Sequence, residues 1–394
     1  MLTARFAFAA AERASFRSGS LLEDDSAILQ HSDLLRLADQ CVKCGFCLPH
    51  CPTFRLRRDE AESPRGRIAL IQGLLSGELA AGARLDAHLG SCLQCRACEP
   101  VCPSLVEYGR LMDGARAERI AGLARWRRAL LRALLGLISD PRSAVRLAWL
   151  AGLYRRLRLP RVAASLGLLP VPRLAVLDGL ARQLRQPPPL GELAARPQPP
   201  ERAVNASAPV SAPESTPVSA PVSASGRADR SVALFLGCVA RALQPNTITA
   251  ALAVLQRLGV AVQLPDGQDC CGAMYRHNGF PASADRLLER NRAAFGDATV
   301  VGVASACVAE LRPAVAAVEL CRFLVDTPWP ADLRPEPLPE TVVVHEPCSH
   351  RNQLRDTQAV YALLARIPDL RVEPLADNAF CCGAAGTYLL QHPR

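Results

Sequence analysis

The sequence predicts an α+β multi-domain protein. A helical cysteine-rich unit comes first, then a helical connector, then a C-terminal α/β unit built from two repeats. Three observations carry this. Eight of the 16 cysteines lie between Cys41 and Cys102, and the other eight between Cys238 and Cys382. Two strand–helix–strand patterns in the second half each end in Cys-Cys-Gly. A Pro/Ala/Ser-rich stretch at 186–230 separates the halves and is too poor in large apolar residues to order itself. A chain of 394 residues is also too long for one core.

Residues 1–40 form an N-terminal lead ending in a helix around "AILQHSDLLRLADQ". The early apolar run "RFAFAAAER" is short and broken by Glu12, so it makes no convincing export signal. Sixteen cysteines in a long chain without one point to metal-binding thiols in a reducing compartment, not to a disulfide scaffold. No charge-free apolar stretch reaches the ~18 residues that a membrane span needs.

Residues 41–109 contain "CVKCGFCLPHCP" and "CLQCRACEPVCP". Both read C-x2-C-x2-C-x3-C-P, the spacing of a ferredoxin-type domain with two [4Fe–4S] clusters. Three close cysteines wrap one cluster, and the fourth, beyond a proline turn, completes its neighbour's. Cys41, Cys44, Cys47 and Cys102 are therefore expected at the first cluster, and Cys92, Cys95, Cys98 and Cys51 at the second. Structural zinc also uses Cys-x2-Cys pairs, but it needs two pairs and not two quartets ending in Cys-Pro. Between the runs, "ESPRGRIALIQGLLSGEL" predicts a helix capped by Ser63, with Pro64 in its first turn and Ile68, Ile71, Leu75 and Leu79 on one face. Arg65 and Arg67 either balance cluster charge or face water.

Residues 110–185 hold sixteen arginines and four acids, an excess larger than the whole chain's +9. Leucines and arginines alternate in amphipathic helices divided at Pro141 and Pro160. Two roles fit: a connector whose arginines cover apolar surface and face water, or peripheral docking on an anionic membrane or acidic partner. No motif for nucleic acid accompanies the charge.

Residues 231–394 repeat one plan. "SVALFLGC" ends at Cys238 and "TVVVHEPC" at Cys348; after 31 and 32 intervening residues come Cys270-Cys271-Gly and Cys381-Cys382-Gly. Helices "NTITAALAVLQRLG" and "DTQAVYALLARI" fill the gaps, with Gly259 as a C-cap and "VAVQL" as the returning strand. The run "ATVVGVASAC" reads as a strand delivering Cys307 to the same sheet edge. The first metal site is thus expected to use Cys238, Cys270, Cys271 and Cys307. The second has Cys348, Cys381 and Cys382; by the first repeat's count its last ligand falls near position 418. The expectation is a fragment, a three-thiolate site or an empty one. Cys321 is expected to be a buried apolar residue, and His277, His345 and His350 to be loop or core residues.

With both quartets and both repeats in view, the chain resembles the iron–sulfur subunits of glycolate oxidase. The likeness runs through "CGFCLPHCPTF", "ESPRGRIALI", "CLQCRACEPVCPSLVEYGRL", "CCGAMYRHN" and "CCGAAGTYLLQHP". The same combination is shared with the heterodisulfide reductase catalytic subunit and the anaerobic glycerol-3-phosphate dehydrogenase C subunit. The resemblance implies a cytoplasmic electron-transfer subunit, peripheral on the inner face of the cell membrane. It would take electrons from flavin-containing subunits that oxidise glycolate and pass them to the quinone pool or another membrane acceptor. It also implies a further iron–sulfur cluster or zinc in the CCG domain. Two departures stand out: Ala304 occupies a family cysteine position beside Cys307, and the second repeat lacks its closing segment. No G-x-G-x-x-G opens a helix, so flavin and nicotinamide belong to other polypeptides, and no residue here is expected to be catalytic. The alternatives are a catalytic subunit of heterodisulfide reductase type and a zinc-stabilised scaffold.

Overall fold

The computed structural model describes residues 31–157, 178–179, 231–384 and 386–392. Most of the N-terminal lead, the Pro/Ala/Ser-rich stretch and Pro160 lie outside the described residues. The architecture is α+β, with a helical ferredoxin-type part followed by a CCG region built on small parallel sheets.

The N-terminal part is helical: α1 (His31–Asp39), α2 (Pro52–Arg57), a 3-10 turn (Glu60–Glu62), α3 (Pro64–Leu75), α4 (Ala83–Gly90) and α5 (Tyr108–Ala121). The start of α3 follows its sequence signals. Ser63 Oγ accepts from Gly66 N at 2.9 Å, and Pro64 occupies the first turn, where no N–H is needed. Ile68, Ile71 and Leu75 are buried against Leu34, Leu89, Leu111 and Met112. Leu79 departs from the expected face. The helix stops at Leu75, Gly77 turns left-handed, and Leu79 folds back so that its N–H meets the Gly73 carbonyl at 2.8 Å.

Arg67 is no solvated arginine. It and Glu62 are each 1% exposed and pair at 2.5 Å. The same guanidinium donates to the Glu62 carbonyl (2.6 Å), Thr53 Oγ1 (3.0 Å), the His88 carbonyl (2.8 Å) and Ser91 Oγ (2.8 Å). One side chain therefore ties α3 to the 3-10 turn, to α2 and to the end of α4. Burial pushes the Glu62 carboxyl up. Hydrogen bonds from Ser91 and His88 and the charges of Arg67 and Arg57 outweigh it and hold the group below the usual carboxylate range.

Two further helices, α6 (Arg125–Ser139) and α7 (Pro141–Arg156), pack on each other, with Pro141 opening the second as expected. The C-terminal part alternates strand and helix: β1 (Ser231–Phe235), α8 (Val239–Leu243), α9 (Pro245–Arg257), β2 (Ala261–Gln263), α10 (Ala273–His277), α11 (Pro281–Phe295), β3 (Val300–Gly302), α12 (Ser305–Leu311), β4 (Ala317–Glu319) and α13 (Leu320–Asp326). These strands form one parallel sheet of order β2-β1-β3-β4, with Val232 opposite Val262, Leu234 opposite Val301, and Val301 opposite Val318. Alternation along β1 serves two cores. Val232 and Leu234 meet Ile248, Leu252 and Leu255 of α9, while Ala233 and Phe235 meet Phe295, Val308 and Leu311.

The second repeat is a reduced copy: β5 (Thr341–Val344), a π-helical turn (Ser349–Leu354), α14 (Gln358–Leu364), β6 (Arg371–Pro374) and α15 (Tyr388–Gln391), with β5 and β6 paired in parallel. Cys307 is reached differently from the expectation. The strand ends at Gly302, and the cysteine sits in the first turn of α12.

Because Arg67 is buried and multiply bonded, Arg67→Met strands Glu62 and should cost about 3–5 kcal/mol. Arg57→Met, whose guanidinium is half in water, should cost under about 1 kcal/mol. Denaturant midpoints of the two variants, followed by circular dichroism, check the difference.

Candidate metal centres

Each N-terminal cysteine run coils through two left-handed residues, Lys43 and Gly45 in the first, Gln94 and Arg96 in the second. The positions match: the residue before the second cysteine and the residue after it. This tight coil turns three thiols toward one point and aims backbone N–H groups at sulfur, as with Gln94 N to Cys92 Sγ at 3.4 Å.

The thiols line two cavities. Cys41, Cys44, Cys47 and Cys102 share the wall of one, with Ile68 and Val106; Cys51, Cys92 and Cys95 share the wall of the other, with Thr53 and Arg67. Cys98 borders both, as do Pro64 and Tyr108, so the first turn of α3 divides the two spaces. Each fourth cysteine thus stands beside the opposite run. Cys51 is also held from behind, its sulfur 3.2 Å from Thr53 Oγ1 and 3.6 Å from the Glu62 carbonyl. Burial raises the Cys98 thiol well above its ordinary value. Such a sulfur ionises only beside added positive charge, which is what an iron–sulfur core brings. The donor set and the shape of these cavities fit such clusters.

In the C-terminal part, sheet order explains the first thiol group. Cys238 follows β1, Cys270 and Cys271 follow β2, and Cys307 follows β3, and these three strands are neighbours. Their carboxyl ends deliver all four cysteines to one sheet edge. Cys238 Sγ and Cys270 Sγ lie 3.5 Å apart, and the Cys271 and Cys307 thiols hydrogen-bond to each other. The contact with Cys270 and then burial raise the Cys238 thiol. Gly272 has φ +94°, and a Cβ there would press on the Ala284 backbone at 3.0–3.1 Å, so only glycine follows this cysteine pair. Its N–H points at Cys270 Sγ at 3.5 Å, as the Gly383 N–H does at Cys381.

An amide side chain, which the sequence reading missed, clips both repeats. Gln268 Oε1 accepts from Leu236 N at 2.8 Å, and its Nε2 donates to the Leu234 carbonyl at 3.3 Å. Asn378 Oδ1 accepts from Glu346 N at 3.0 Å, and its Nδ2 donates to the Val344 carbonyl at 2.9 Å. All three positions are offset by the same interval between the repeats. The extra residue of the second gap therefore lies between Asn378 and Cys381.

The second thiol group faces the N-terminal part. Cys381 Sγ lies 3.8 Å from Cys348 Sγ and also hydrogen-bonds the Cys95 thiol. The bond from Cys348 and then that from Cys95 bring the Cys381 thiol down to about 3. Asn352 donates to the Cys95 carbonyl at 2.7 Å, and the Arg55 guanidinium stacks over Phe380 at 3.8 Å. Cys382 is exposed. Cys321 stays apart on α13, its thiol pushed up to about 12 by burial and by Glu319. His350 is buried beside this region with Nε2 unpartnered. Among the described residues, no group of three or more His, Cys, Asp or Glu side chains is arranged to hold a single metal ion.

The seam continues along α5. His277 Nδ1 lies 3.0 Å from Asp113 Oδ1, and Arg116 donates to the His277 carbonyl at 2.7 Å and to the Cys92 carbonyl at 2.8 Å. Burial pushes the Asp113 carboxyl up; His277, Arg96 and Gln94 outweigh it and keep it lowered. A cleft of about 480 Å³ opens beside this seam, where Arg276 is bonded to Asp285 (2.8 Å) and Glu310 (2.5 Å).

The family described as 4Fe-4S dicluster domain matches residues 37–106, and that described as cysteine-rich domain (CCG) matches residues 232–312 and 342–394. A protein of Bacillus subtilis (strain 168), described as "Probable glycolate oxidase iron-sulfur subunit", is 31% identical over 377 residues, covering 88% of this chain and 79% of that protein. The chain belongs to the family of glycolate oxidase iron–sulfur subunits. The "Glycolate oxidase iron-sulfur subunit" of Escherichia coli (strain K12) is 29% identical over 403 residues, covering 94% and 84%. "Lactate utilization protein A" of Bacillus pumilus (strain SAFR-032) is 30% identical over 176 residues, covering 40% and 74%. No solved structure matches. As a member of this family, the chain is an iron–sulfur electron-transfer subunit of an oxidoreductase.

Asp113, Arg116, His277 and Asn352 join the family's two cysteine regions, and none was singled out from sequence for that role. The one signal was "RHNG", which follows the first Cys-Cys-Gly after three intervening residues. Gly279, the last residue of that run, has φ +82°, and a Cβ there would stand 2.5 Å from the Arg116 carbonyl oxygen. Gly279→Ala, the substitution that adds least strain to this turn, should therefore loosen the docking of the two parts. Amide hydrogen exchange in α5 and α10, at the seam itself, is expected to be at least about tenfold faster in the variant than in the parent, since exchange follows the population of the opened state.

Proposed function

We propose that this chain is the electron-transfer subunit of a flavin-dependent glycolate dehydrogenase, passing electrons from glycolate oxidation toward a quinone. In this reading Cys41, Cys44, Cys47 and Cys102 hold one [4Fe–4S] cluster, and Cys92, Cys95, Cys98 and Cys51 hold a second. Cys238, Cys270, Cys271 and Cys307, and the smaller set Cys348, Cys381 and Cys382, serve a further iron–sulfur cluster or zinc. Iron–sulfur clusters supply reversible one-electron storage. The observation that carries the proposal is the docking of the second CCG group on the second quartet: Asn352 donates to the Cys95 carbonyl at 2.7 Å, and this brings the Cys381 and Cys95 thiols together.

The protein's own side chains do the remaining work. Arg67, Glu62 and Thr53 close the back of Cys51, and Tyr108 and Ile68 line the cavities and keep water from the thiols. The Asp113–His277–Arg116 group and Asn352 fix the distance between the two cysteine regions. Among the charged groups of the nearby cleft, Arg276 is bonded to both Asp285 and Glu310. This supports placing substrate oxidation in flavin-containing partner subunits. The chain then acts on the cytoplasmic side, peripherally at the membrane that holds the quinone pool or an equivalent acceptor. The described residues contain no helix long and apolar enough to cross it. Lactate is the alternative hydroxyacid for the partner, favoured by the similarity to "Lactate utilization protein A".

Anaerobically purified protein should contain about eight irons with acid-labile sulfide in the N-terminal part alone. Cys44→Ser and Cys51→Ser should each lose about four of them, Cys44→Ser from the first cluster and Cys51→Ser from the second. Quinone reduction should fall in both, while glycolate still reduces the partner's flavin. Zinc without iron, or loss of flavin reduction in an assembled complex, sinks the proposal.

A further inference from the structure

Helices α6 and α7 leave stripes of large apolar side chains in water, beside exposed arginines. A surface helix ordinarily buries its leucines and turns its charges to water. On α6 the buried positions are Leu135 and Ser139, and most of its other leucines are left outside. Ser139 Oγ lies 3.3 Å from the Tyr275 hydroxyl of α10, and Arg132 lies over the Phe280 ring at 5.5 Å. The outward positions are Trp126 (64% exposed), Leu130 (52%), Leu134 (50%) and Leu137 (45%), at the three-to-four-residue spacing of a single stripe. On α7 the exposed stripe is Trp149 (57%), Leu150, Leu153 and, just past the helix, Leu157. Packing on α10 and α8 anchors the pair by its inner side.

The charge around these stripes has one sign. Residues 125–157 contain eight arginines and one acid, Asp140. That acid is used internally, its carboxylate accepting from the Ser143 N–H and hydroxyl at 2.8 Å to cap α7. Arg125, Arg127, Arg146, Arg155 and Arg156 are exposed, and Arg127 stacks 5.2 Å from the Trp126 ring. Among the described side chains, the exposed positions of α6 and α7 carry only Trp, Leu, Ala and Arg, together with Leu157.

We infer that this helix pair is a docking surface for an anionic phospholipid bilayer. Protein interfaces also use Trp and Arg, but their polar rim pairs donors with acceptors. Among the described side chains the exposed positions of this face carry positive donors and no acceptor, which suits a surface of phosphates. Leucines and indoles that enter the acyl–headgroup boundary need no directional partner, and the arginines around them meet lipid phosphates. The apolar stripes supply burial and the arginines select anionic headgroups. The surface stands on these observations whatever the electron acceptor is, so its test reads lipid binding and leaves electron transfer as a separate control.

The experiment is co-sedimentation of the full-length, anaerobically prepared protein with vesicles of phosphatidylcholine alone or mixed with phosphatidylglycerol. Binding is expected on the mixed vesicles, at least about tenfold tighter than on phosphatidylcholine, and weakening as salt screens the arginines. Leu130→Glu/Leu134→Glu should bind at least about tenfold more weakly, with circular dichroism and dye reduction unchanged. Trp149→Ser/Leu153→Ser should do the same from α7 and stands in if the first pair fails to fold. Arg125→Gln/Arg127→Gln/Arg146→Gln should lose about fivefold per arginine on the mixed vesicles only. Equal or absent binding of the parent to both vesicle types overturns the inference, as does undiminished binding of folded leucine and tryptophan variants. If the parent ignores vesicles while Leu130→Glu/Leu134→Glu loses its flavin subunits, the face belongs to a protein instead.

Discussion

The buried pair of Arg67 and Glu62 is the interaction on which the N-terminal part depends. Three short helices and a 3-10 turn have little apolar surface of their own. They are held in register by one guanidinium that reaches Thr53, Glu62, His88 and Ser91 at once. The arrangement is expensive to desolvate and is sustained because nearly every donor and acceptor is used. It sits behind Cys51, the residue that must cross from the first run to the second cavity. A rigid polar knot at that point lets the crossing be exact without a large hydrophobic core beneath it.

From that knot outward, the rest of the molecule is a problem of bringing sulfur atoms together. The N-terminal runs do it locally, with two left-handed residues per run. The C-terminal part does it by topology, through three adjacent parallel strands that release their cysteines at the same edge. Docking then sets one scheme against the other, and the close approach of Gly279 to Arg116 fixes how near they come.

Local features were legible in the sequence because their causes are local. The Ser63 cap, the Pro64 start, the β1–α9–β2 unit and the interleaved thiols each rest on residues close together in the chain or on a fixed spacing. Leu79 misled because the helix period continues past a glycine that ends the helix. Cys307 misled because β-branched residues on both sides of Gly302 hide where the strand stops. For Arg67 the sequence left cluster charge and solvent as equal alternatives, since nothing in "SPRGRIAL" says that a glutamate five residues back is buried. The seam was illegible for a deeper reason: Asp113 and His277 are far apart in sequence, and each looks ordinary alone. The outward stripe on α6 has the same periodicity as an inward one, so its direction appears only when Ser139 is seen against Tyr275.

The paired amide clips of Gln268 and Asn378 separate two jobs that a duplicated unit would otherwise have to change together. Each clip locks the end of one strand, β1 or β5, to the loop that leaves its parallel neighbour, β2 or β6, so the framework is closed before the chain reaches its Cys-Cys pair. The single additional residue of the later copy falls downstream of that lock. Its slack is spent on where Cys381 and Cys382 sit, and none is transmitted to β5 and β6. Ancestral twins of this kind are free to specialise: one can keep a compact four-thiol nest while its sibling drifts toward a new neighbour, with no renegotiation of the scaffold that carries them both.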